Sequence, residues 1–94
     1  MPLLFSHRMI VPPTVVCRAV DTRTVLLNAA TGRYFALDEV GARVWTLVAS
    51  SPSVGEVYAS LLAEYDVEPD VLQRDLESLL TSLEAEGLLE LRHA

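Results

Sequence analysis

Apolar and β-branched residues cluster in three short runs in the first part of the chain, at 15–20, 24–28 and 33–37. Runs of this length and composition are typical of β-strands. The four residues between the second and third runs end in Gly32, which can supply the positive φ that a four-residue hairpin loop usually needs. The pattern therefore predicts a three-stranded antiparallel meander.

After the strands, apolar residues recur every three to four positions, which predicts three amphipathic helices. Asp38 can cap the first helix, from about 38 to 49. Ser53 opens a Ser-x-x-Glu capping box, Pro69 suits the first position of the third helix, and Gly87 can close it. The predicted buried faces are Val40, Val44, Leu47 and Val48; Val54, Val57, Tyr58, Leu61, Leu62 and Tyr65; and Leu72, Leu76, Leu79, Leu80 and Leu83.

A chain of 94 residues, 51% of them hydrophobic, has room for one small domain. Pro2, Pro12 and Pro13 predict that residues 1–14 form an extended or poorly ordered N-terminal arm. The domain is then expected to span residues 15–91. Its last residues, 88–91, would form a short final strand or pack against the rest of the domain. The expected fold class is α+β, with a three-stranded antiparallel sheet packed on three helices.

Charge and hydropathy limit the partners. Residues 38–94 carry twelve carboxylates and three arginines, and the net charge of −6 disfavours nucleic acid and anionic membranes. The apolar N-terminus lacks the continuous core of a signal peptide, and no stretch has the length of a membrane span. With Cys17 as its single cysteine the chain forms no internal disulfide, so a cytoplasmic location is expected. The positive mean hydropathy suggests an apolar surface for a partner.

Residues that could carry catalysis are scarce. His7 and His93 lie near opposite ends and are interpreted as solvated terminal residues, and Cys17 as a small core residue. Asp38 and Glu39 are better explained by helix capping than by acid–base chemistry. Trp45 and Tyr58, on apolar helical faces, are interpreted as core residues. We therefore expect no enzyme activity, no bound metal and no cofactor.

A binding surface is more plausible, because a three-stranded meander leaves a strand edge unpaired. The third predicted strand, 33–37, contains no lysine or proline that would block pairing with another chain. An extended peptide can add to it as a further strand, with the leucine-rich third helix as the wall of a groove. The alternative is that these leucines belong only to the core.

Two longer stretches carry a resemblance to a known family. They are VLLNAATGRYFALDEVGARVW and SVGEVYASLLAEYDVEPDVLQRDLESLLTSLEAEGLL. Between about Val15 and Leu89 the chain resembles the PqqD-like peptide recognition elements, which serve ribosomally made and post-translationally modified peptides. It is most similar to the stand-alone recognition proteins of lasso-peptide pathways. Asp21-Thr22-Arg23 and Ser50-Ser51-Pro52 depart from the usual loops of the family, and leave the turn geometry open.

The resemblance implies a winged-helix-like domain that binds the N-terminal leader of a precursor peptide. In such proteins the leader lies antiparallel to the third strand, in a cleft between that strand and the third helix. Tyr34, Phe35 and Leu37 would form the floor. The implied peptide-binding residues are Arg33, Tyr34, Phe35, Ala36, Leu37 and Asp38 in the strand, and Val71, Leu72, Asp75 and Leu79 in the helical wall.

The lasso branch further implies a leader with a Tyr-x-x-Pro element, and as partners a leader peptidase and an ATP-dependent macrolactam synthetase. The main alternative is a winged-helix DNA-binding regulator, whose third helix would enter the major groove. Between Asp70 and Glu86, however, that helix carries five carboxylates and one arginine, so phosphates would repel it.

Overall fold

The computed structural model describes residues 6–21, 23–50 and 53–93, without the side chain of His93. Two loops were noted above as different from the usual loops of the family. Thr22 in the first loop, and Ser51 and Pro52 in the second, lie outside the described residues. The described elements, in chain order, are β1 (His7–Ile10), β2 (Val15–Val20), β3 (Arg23–Asn28), β4 (Tyr34–Leu37), α1 (Glu39–Ser50), α2 (Val54–Glu64), α3 (Pro69–Ala85) and β5 (Glu90–His93).

The three predicted strands form the antiparallel sheet β2-β3-β4, which confirms the meander. Its register places Leu26 of β3 opposite Cys17 of β2 and Phe35 of β4. Gly32 adopts a φ of +75° in the loop between β3 and β4. Its N–H donates to the Asn28 carbonyl at 2.8 Å, so the predicted hairpin closes as expected.

The signals for helix ends are also confirmed. Asp38 Oδ1 accepts a 2.7 Å hydrogen bond from the Gly41 N–H and caps α1, and Ser53 Oγ accepts one from the Glu56 N–H at 3.4 Å. Gly87, at φ +73°, ends α3. The N–H of the next residue, Leu88, donates to the Leu83 carbonyl at 3.0 Å, which is the bonding of a glycine C-cap motif.

The helices cover one face of the sheet only. Leu26 and Leu37 point to that face and are buried, whereas Leu27 points to the other face and is exposed. The core consists of apolar side chains from the sheet, the three helices and both ends of the described chain: Met9, Leu26, Leu37, Val44, Val48, Val54, Val57, Leu61, Leu72, Leu76, Leu80, Leu83, Leu88 and Leu89.

A second sheet joins the two ends of the chain. β1 pairs with β5 in antiparallel register, and Arg8 forms a further bridge with Ser53. His7–Ile10 is held by this pairing, and Met9 lies in the core. This sheet was not predicted, because its strands have four residues each and lie at opposite ends of the sequence.

Two interpretations of single residues are wrong. Cys17 is exposed and not a core residue, because β2 is an edge strand whose side chains lie largely beyond the helical layer. His7 is not a freely solvated terminal residue, because it is half-buried in β1. The interpretation of the His93 side chain falls outside the described residues. Trp45 and Tyr58 are half-buried and pack against the core, as expected.

Candidate functional site: a groove between β4 and α3

An open groove of about 600 Å³ lies between β4 and α3. The first turn of α1 and the segment between α2 and α3 complete its walls. The residues that line it are Phe35, Asp38, Val40, Gly41, Val44, Leu61, Tyr65, Asp66, Val67, Leu72, Asp75, Leu76, Ser78, Leu79 and Ser82. Most of these side chains are apolar, so the groove can accept apolar groups from a ligand.

Five of the residues that the resemblance implies come together in this groove. They are Phe35 and Asp38 at the strand side and Leu72, Asp75 and Leu79 at the helix side. Phe35 and Leu79 are half-buried and pack against the core, so each has one side fixed by the domain and another directed to the groove. The flank of α3 that faces the groove is therefore the one that also carries Ser78 and Ser82.

The other five implied residues do not line the groove. Tyr34 lies on the opposite face of the sheet, where 71% of it is exposed, and Ala36 shares that face. Leu37 is buried in the core, and Val71 is 41% exposed on another flank of α3. The Arg33 guanidinium donates to Glu86 Oε2 at 2.9 Å and so fastens the start of β4 to the end of α3.

The main chain of β4 has one side free. The Asn28 N–H donates to the Arg33 carbonyl at 2.8 Å, so in the β3–β4 register Phe35 and Leu37 also bond to β3. Because bonding alternates along an antiparallel strand, the N–H and C=O groups of Tyr34 and Ala36 point away from β3. No strand neighbours this edge within the described residues. The edge is therefore open to an added strand.

Several groove residues were missed by the sequence analysis. Val40 was assigned to the buried face of the first helix, but it is 42% exposed and lines the groove. Tyr65 was assigned to the second helix, and 66–68 were treated only as a turn. An apolar Val67 in an otherwise polar turn was the available signal. Gly41 is buried, and a Cβ there would come within 3.2 Å of Asp38 Oδ1, so glycine permits the tight start of α1.

The charge of the groove is negative. Asp38, Asp66 and Asp75 line it, and no arginine does. One oxygen of Asp38 is occupied by the helix cap, whereas neither Asp66 nor Asp75 forms a salt bridge with another described residue. The groove thus combines apolar walls with two carboxylates that can attract basic groups.

The described residues contain no group of three or more histidine, cysteine, aspartate or glutamate side chains that could hold a metal ion. The β1–β5 register brings the backbones of His7 and His93 opposite one another, on a sheet separate from β4. Among the described helices, none has both the length and the apolar character needed to cross a bilayer. The groove and its free strand edge are the candidate site, because they combine an apolar cavity with main-chain groups that no described strand pairs.

The chain is similar to solved structures of complexes with leader peptides. The structure titled "TbiB1 in Complex with the TbiA(beta) Leader Peptide" is 38% identical to the chain with a TM-score of 0.77, and the match covers 85% of this chain and 93% of that one. "Lasso peptide synthetase B1 complexed with the leader peptide" is 28% identical with a TM-score of 0.78, and covers 88% and 98%. Among curated proteins, none is significantly similar in sequence. The family model described as "Coenzyme PQQ synthesis protein D (PqqD)" matches residues 23–89, and the chain therefore belongs to the PqqD family.

Proposed function

We propose that this protein binds the leader segment of a ribosomally made precursor peptide. The leader adds antiparallel to the free edge of β4 and places apolar side chains in the groove against α3. The observation that carries the proposal is the open edge at Tyr34 and Ala36 beside an apolar groove. That two similar proteins were solved with leader peptides supports it.

Backbone pairing alone does not account for useful affinity. Tyr34 and Ala36 together offer four main-chain groups, which at about 1 kcal/mol net each contribute ~4 kcal/mol. Association costs about 4–15 kcal/mol. A leader aromatic side chain that buries about 150–250 Å² in the groove adds ~4–6 kcal/mol. The groove therefore supplies most of the net affinity, and the strand edge fixes the register.

The wider role follows from the lasso-peptide likeness. In this proposal the leader carries a Tyr-x-x-Pro element whose tyrosine enters the groove. The protein is a non-catalytic, cytoplasmic carrier that brings the precursor to a leader peptidase and an ATP-dependent macrolactam synthetase. The similarity to a lasso peptide synthetase B1 supports this assignment. The side chains that line the groove are mostly apolar, with three carboxylates among them, and they suit the binding of a peptide.

Calorimetric titration with a synthetic leader, encoded by a precursor gene beside that of this protein, tests the proposal. A second peptide in which the Tyr and Pro of the element are replaced by Ala serves as the control. We expect micromolar or tighter binding of the first peptide and none of the second. Absence of binding to both, in a protein shown to be folded, would refute leader recognition.

The charge of α3 argues against the DNA-binding alternative. Asp70, Asp75 and Glu84 are exposed on this helix, and Arg74 is its single cation. A helix with this balance would be repelled by the phosphates of the major groove. Titration with random duplex DNA at low salt should show no association, whereas salt-sensitive binding would favour the regulator.

A further inference from the structure

A row of apolar side chains crosses the face of the β2-β3-β4 sheet that the helices leave uncovered. The register aligns Val16 of β2, Leu27 of β3 and Tyr34 of β4. The exposed fractions of Val16 and Leu27 are both 37%, whereas that of Tyr34 is 71%. The row therefore ends at the free edge of β4 with a large side chain that the domain leaves mostly uncovered.

The next row on the same face ends in a small side chain. It consists of Arg18 of β2, Val25 of β3 and Ala36 of β4. Tyr34 and Ala36 are the two β4 residues whose N–H and C=O groups point away from β3. A strand that adds to this edge therefore meets one large apolar side chain and one methyl group on the uncovered face.

An added antiparallel strand places one of its residues directly opposite Tyr34. That residue exchanges main-chain hydrogen bonds with Tyr34, because the outward groups of Tyr34 are the ones available for pairing. Directly opposite side chains share a face of the sheet, with Cβ atoms about 4.5–5.5 Å apart. The leader residue opposite Tyr34 thus lies on the uncovered face beside the tyrosine ring, and not in the groove.

We infer that Tyr34 selects an aromatic or β-branched residue at the leader position directly opposite it. This inference rests on the proposed function, in which the leader adds to β4. Aromatic and β-branched side chains form favourable cross-strand pairs with tyrosine, and here such a residue would also extend the apolar row by one strand. A small polar residue at this position would leave the Tyr34 ring in water. The leader is therefore recognised on both faces of the sheet.

The two faces recognise alternate residues of the leader. Phe35 lines the groove, so the leader residue opposite Phe35 faces the groove, whereas the residue opposite Tyr34 faces the other way. In an antiparallel pair, the residue opposite Phe35 comes directly before the residue opposite Tyr34 in the leader sequence. An odd number of positions thus separates a leader residue that contacts Tyr34 from one that contacts Phe35.

Three single variants test this role of Tyr34. Tyr34→Ser removes the ring and should fold, because the side chain is mostly exposed, and Tyr34→Phe keeps the ring. Val20→Ser is the matched control, because Val20 is 55% exposed on the same face but lies at the end of β2, the far edge of the sheet. Circular dichroism melting establishes that each variant is folded.

The probe is the synthetic leader encoded by the precursor gene beside that of this protein, and calorimetric titration measures its affinity. We expect Tyr34→Ser to bind this leader about three- to tenfold more weakly than the wild type, which is the size of a good cross-strand aromatic pair. Tyr34→Phe should bind as tightly as the wild type, because the ring supplies the contact. Val20→Ser should also match the wild type.

A set of leaders with single serine replacements then locates the position. One replacement should weaken binding to the wild type without weakening binding to Tyr34→Ser any further, and it marks the residue opposite Tyr34. The same comparison with Phe35→Leu marks the leader residue in the groove. We expect an odd number of positions between the two marked residues, and an aromatic or β-branched residue at the Tyr34 position.

The outcomes distinguish the role of Tyr34 from leader binding itself. Wild-type affinity of the folded Tyr34→Ser protein would overturn the role of Tyr34 and leave leader recognition intact. An even separation of the two marked residues would place both contacts on one face, and would overturn it as well. Failure of the wild-type protein to bind the leader would refute the proposed function, and the selection by Tyr34 with it.

Discussion

Within the described residues, the sheet β2-β3-β4 has two unpaired edges, β2 and β4. Their main chains offer the same groups, but their surroundings differ. The Ala29 N–H donates to the Thr14 carbonyl at 2.9 Å, so in the β2–β3 register the N–H and C=O groups of Cys17 and Ala19 point outward. They correspond to those of Tyr34 and Ala36 on β4. Beside β4 lies an apolar groove with carboxylates, whereas the β2 side chains are exposed and include Arg18.

The difference shows that a free edge becomes selective through its surroundings. Main-chain groups are the same for any sequence, so either edge would pair with any extended peptide. The groove adds affinity for apolar side chains at β4, and its carboxylates favour a basic peptide there. The arginine on β2 disfavours the same peptide. We therefore expect a basic leader to bind at β4 and not at β2.

The largest predicted effect concerns Asn28, a buried polar residue at the end of β3. Its side chain joins the segment before β2 and the loop after β3 to the end of α3. Its Oδ1 accepts from Thr14 Oγ1 at 2.9 Å and from the Ala30 N–H at 3.0 Å, and its Nδ2 donates to the Gly87 carbonyl at 2.8 Å. Asn28→Ala removes all three bonds and should lower the free energy of unfolding by about 2–4 kcal/mol. Urea denaturation measures this loss.

Thr14→Val is the matched control for Asn28. It removes only the bond on the β2 side, so we expect a loss of about 1 kcal/mol. Equal losses in the two variants would mean that the bonds of Asn28 to the Ala30 N–H and to the Gly87 carbonyl contribute nothing, and that packing alone holds the end of α3 against the sheet.

The second prediction compares the two edges directly by substituting one exposed alanine on each. Ala36→Pro deletes an outward N–H of β4 and adds ring atoms where the leader would pair, whereas Ala19→Pro does the same on β2. Neither N–H bonds to β3, so both variants should fold. We expect Ala36→Pro to weaken leader binding more than about tenfold, and Ala19→Pro to leave it unchanged, in calorimetric titrations.

Two other results would contradict this comparison. Equal affinity of the Ala36→Pro and wild-type proteins would rule out strand addition at that position of β4. Weaker binding by Ala19→Pro alone would assign the leader to the edge that lacks a groove.

Most of the fold was predictable because its signals are local. The positive φ at Gly32 and Gly87, the cap at Asp38 and the capping box at Ser53 each depend on a few neighbouring residues. These signals set the ends of three strands and three helices in order. Short connections then leave little choice in how the elements pack.

The parts of the fold and of the groove that were not predicted depend on contacts between residues far apart in sequence. The paired residues of β1 and β5 lie 80 to 86 positions apart, and neither strand has a pattern of its own. The exposure of Cys17 depends on which strand lies at the edge of the helical layer. The sequence did not show that Val40 and Val67 line the groove. It shows that a side chain is apolar, but not whether the core or a ligand covers that side chain. The resemblance implied a cleft between the third strand and the third helix, and the open groove lies between these two elements, β4 and α3.

A third prediction concerns the charge difference between the edges. Asp66→Asn with Asp75→Asn neutralises two carboxylates of the groove. Association of a basic leader at low salt should slow several-fold, because electrostatic steering acts mainly on the association rate. Asp70→Asn with Glu77→Gln removes the same charge from another flank of α3 and is the control. Stopped-flow measurements at several salt concentrations give the rates, and equal slowing in both pairs would show that total charge, not the groove, attracts the leader.

The smallest predicted effect is on the salt bridge that joins α1 to the end of α2. Arg43 Nε and Nη2 donate to the two oxygens of Glu64 at 2.8 and 2.7 Å. This bonding lowers the pKa of Glu64 from its usual 4.5. A carboxyl whose pKa is lower in the folded state stabilises the fold above its unfolded pKa, and that contribution is lost as the pH falls through the lowered value.

Glu64→Gln should therefore lower the melting temperature at neutral pH. The effect should be small, because both side chains are exposed to solvent. The difference from the wild type should shrink once the pH falls below the usual carboxyl value, and disappear as it falls through the lowered pKa, where the wild-type Glu64 itself becomes protonated. Melting curves of both proteins across this range measure the difference. A difference that persists in acid would show that the amide disturbs packing beside Tyr65, since a salt bridge cannot contribute once its carboxylate is neutral.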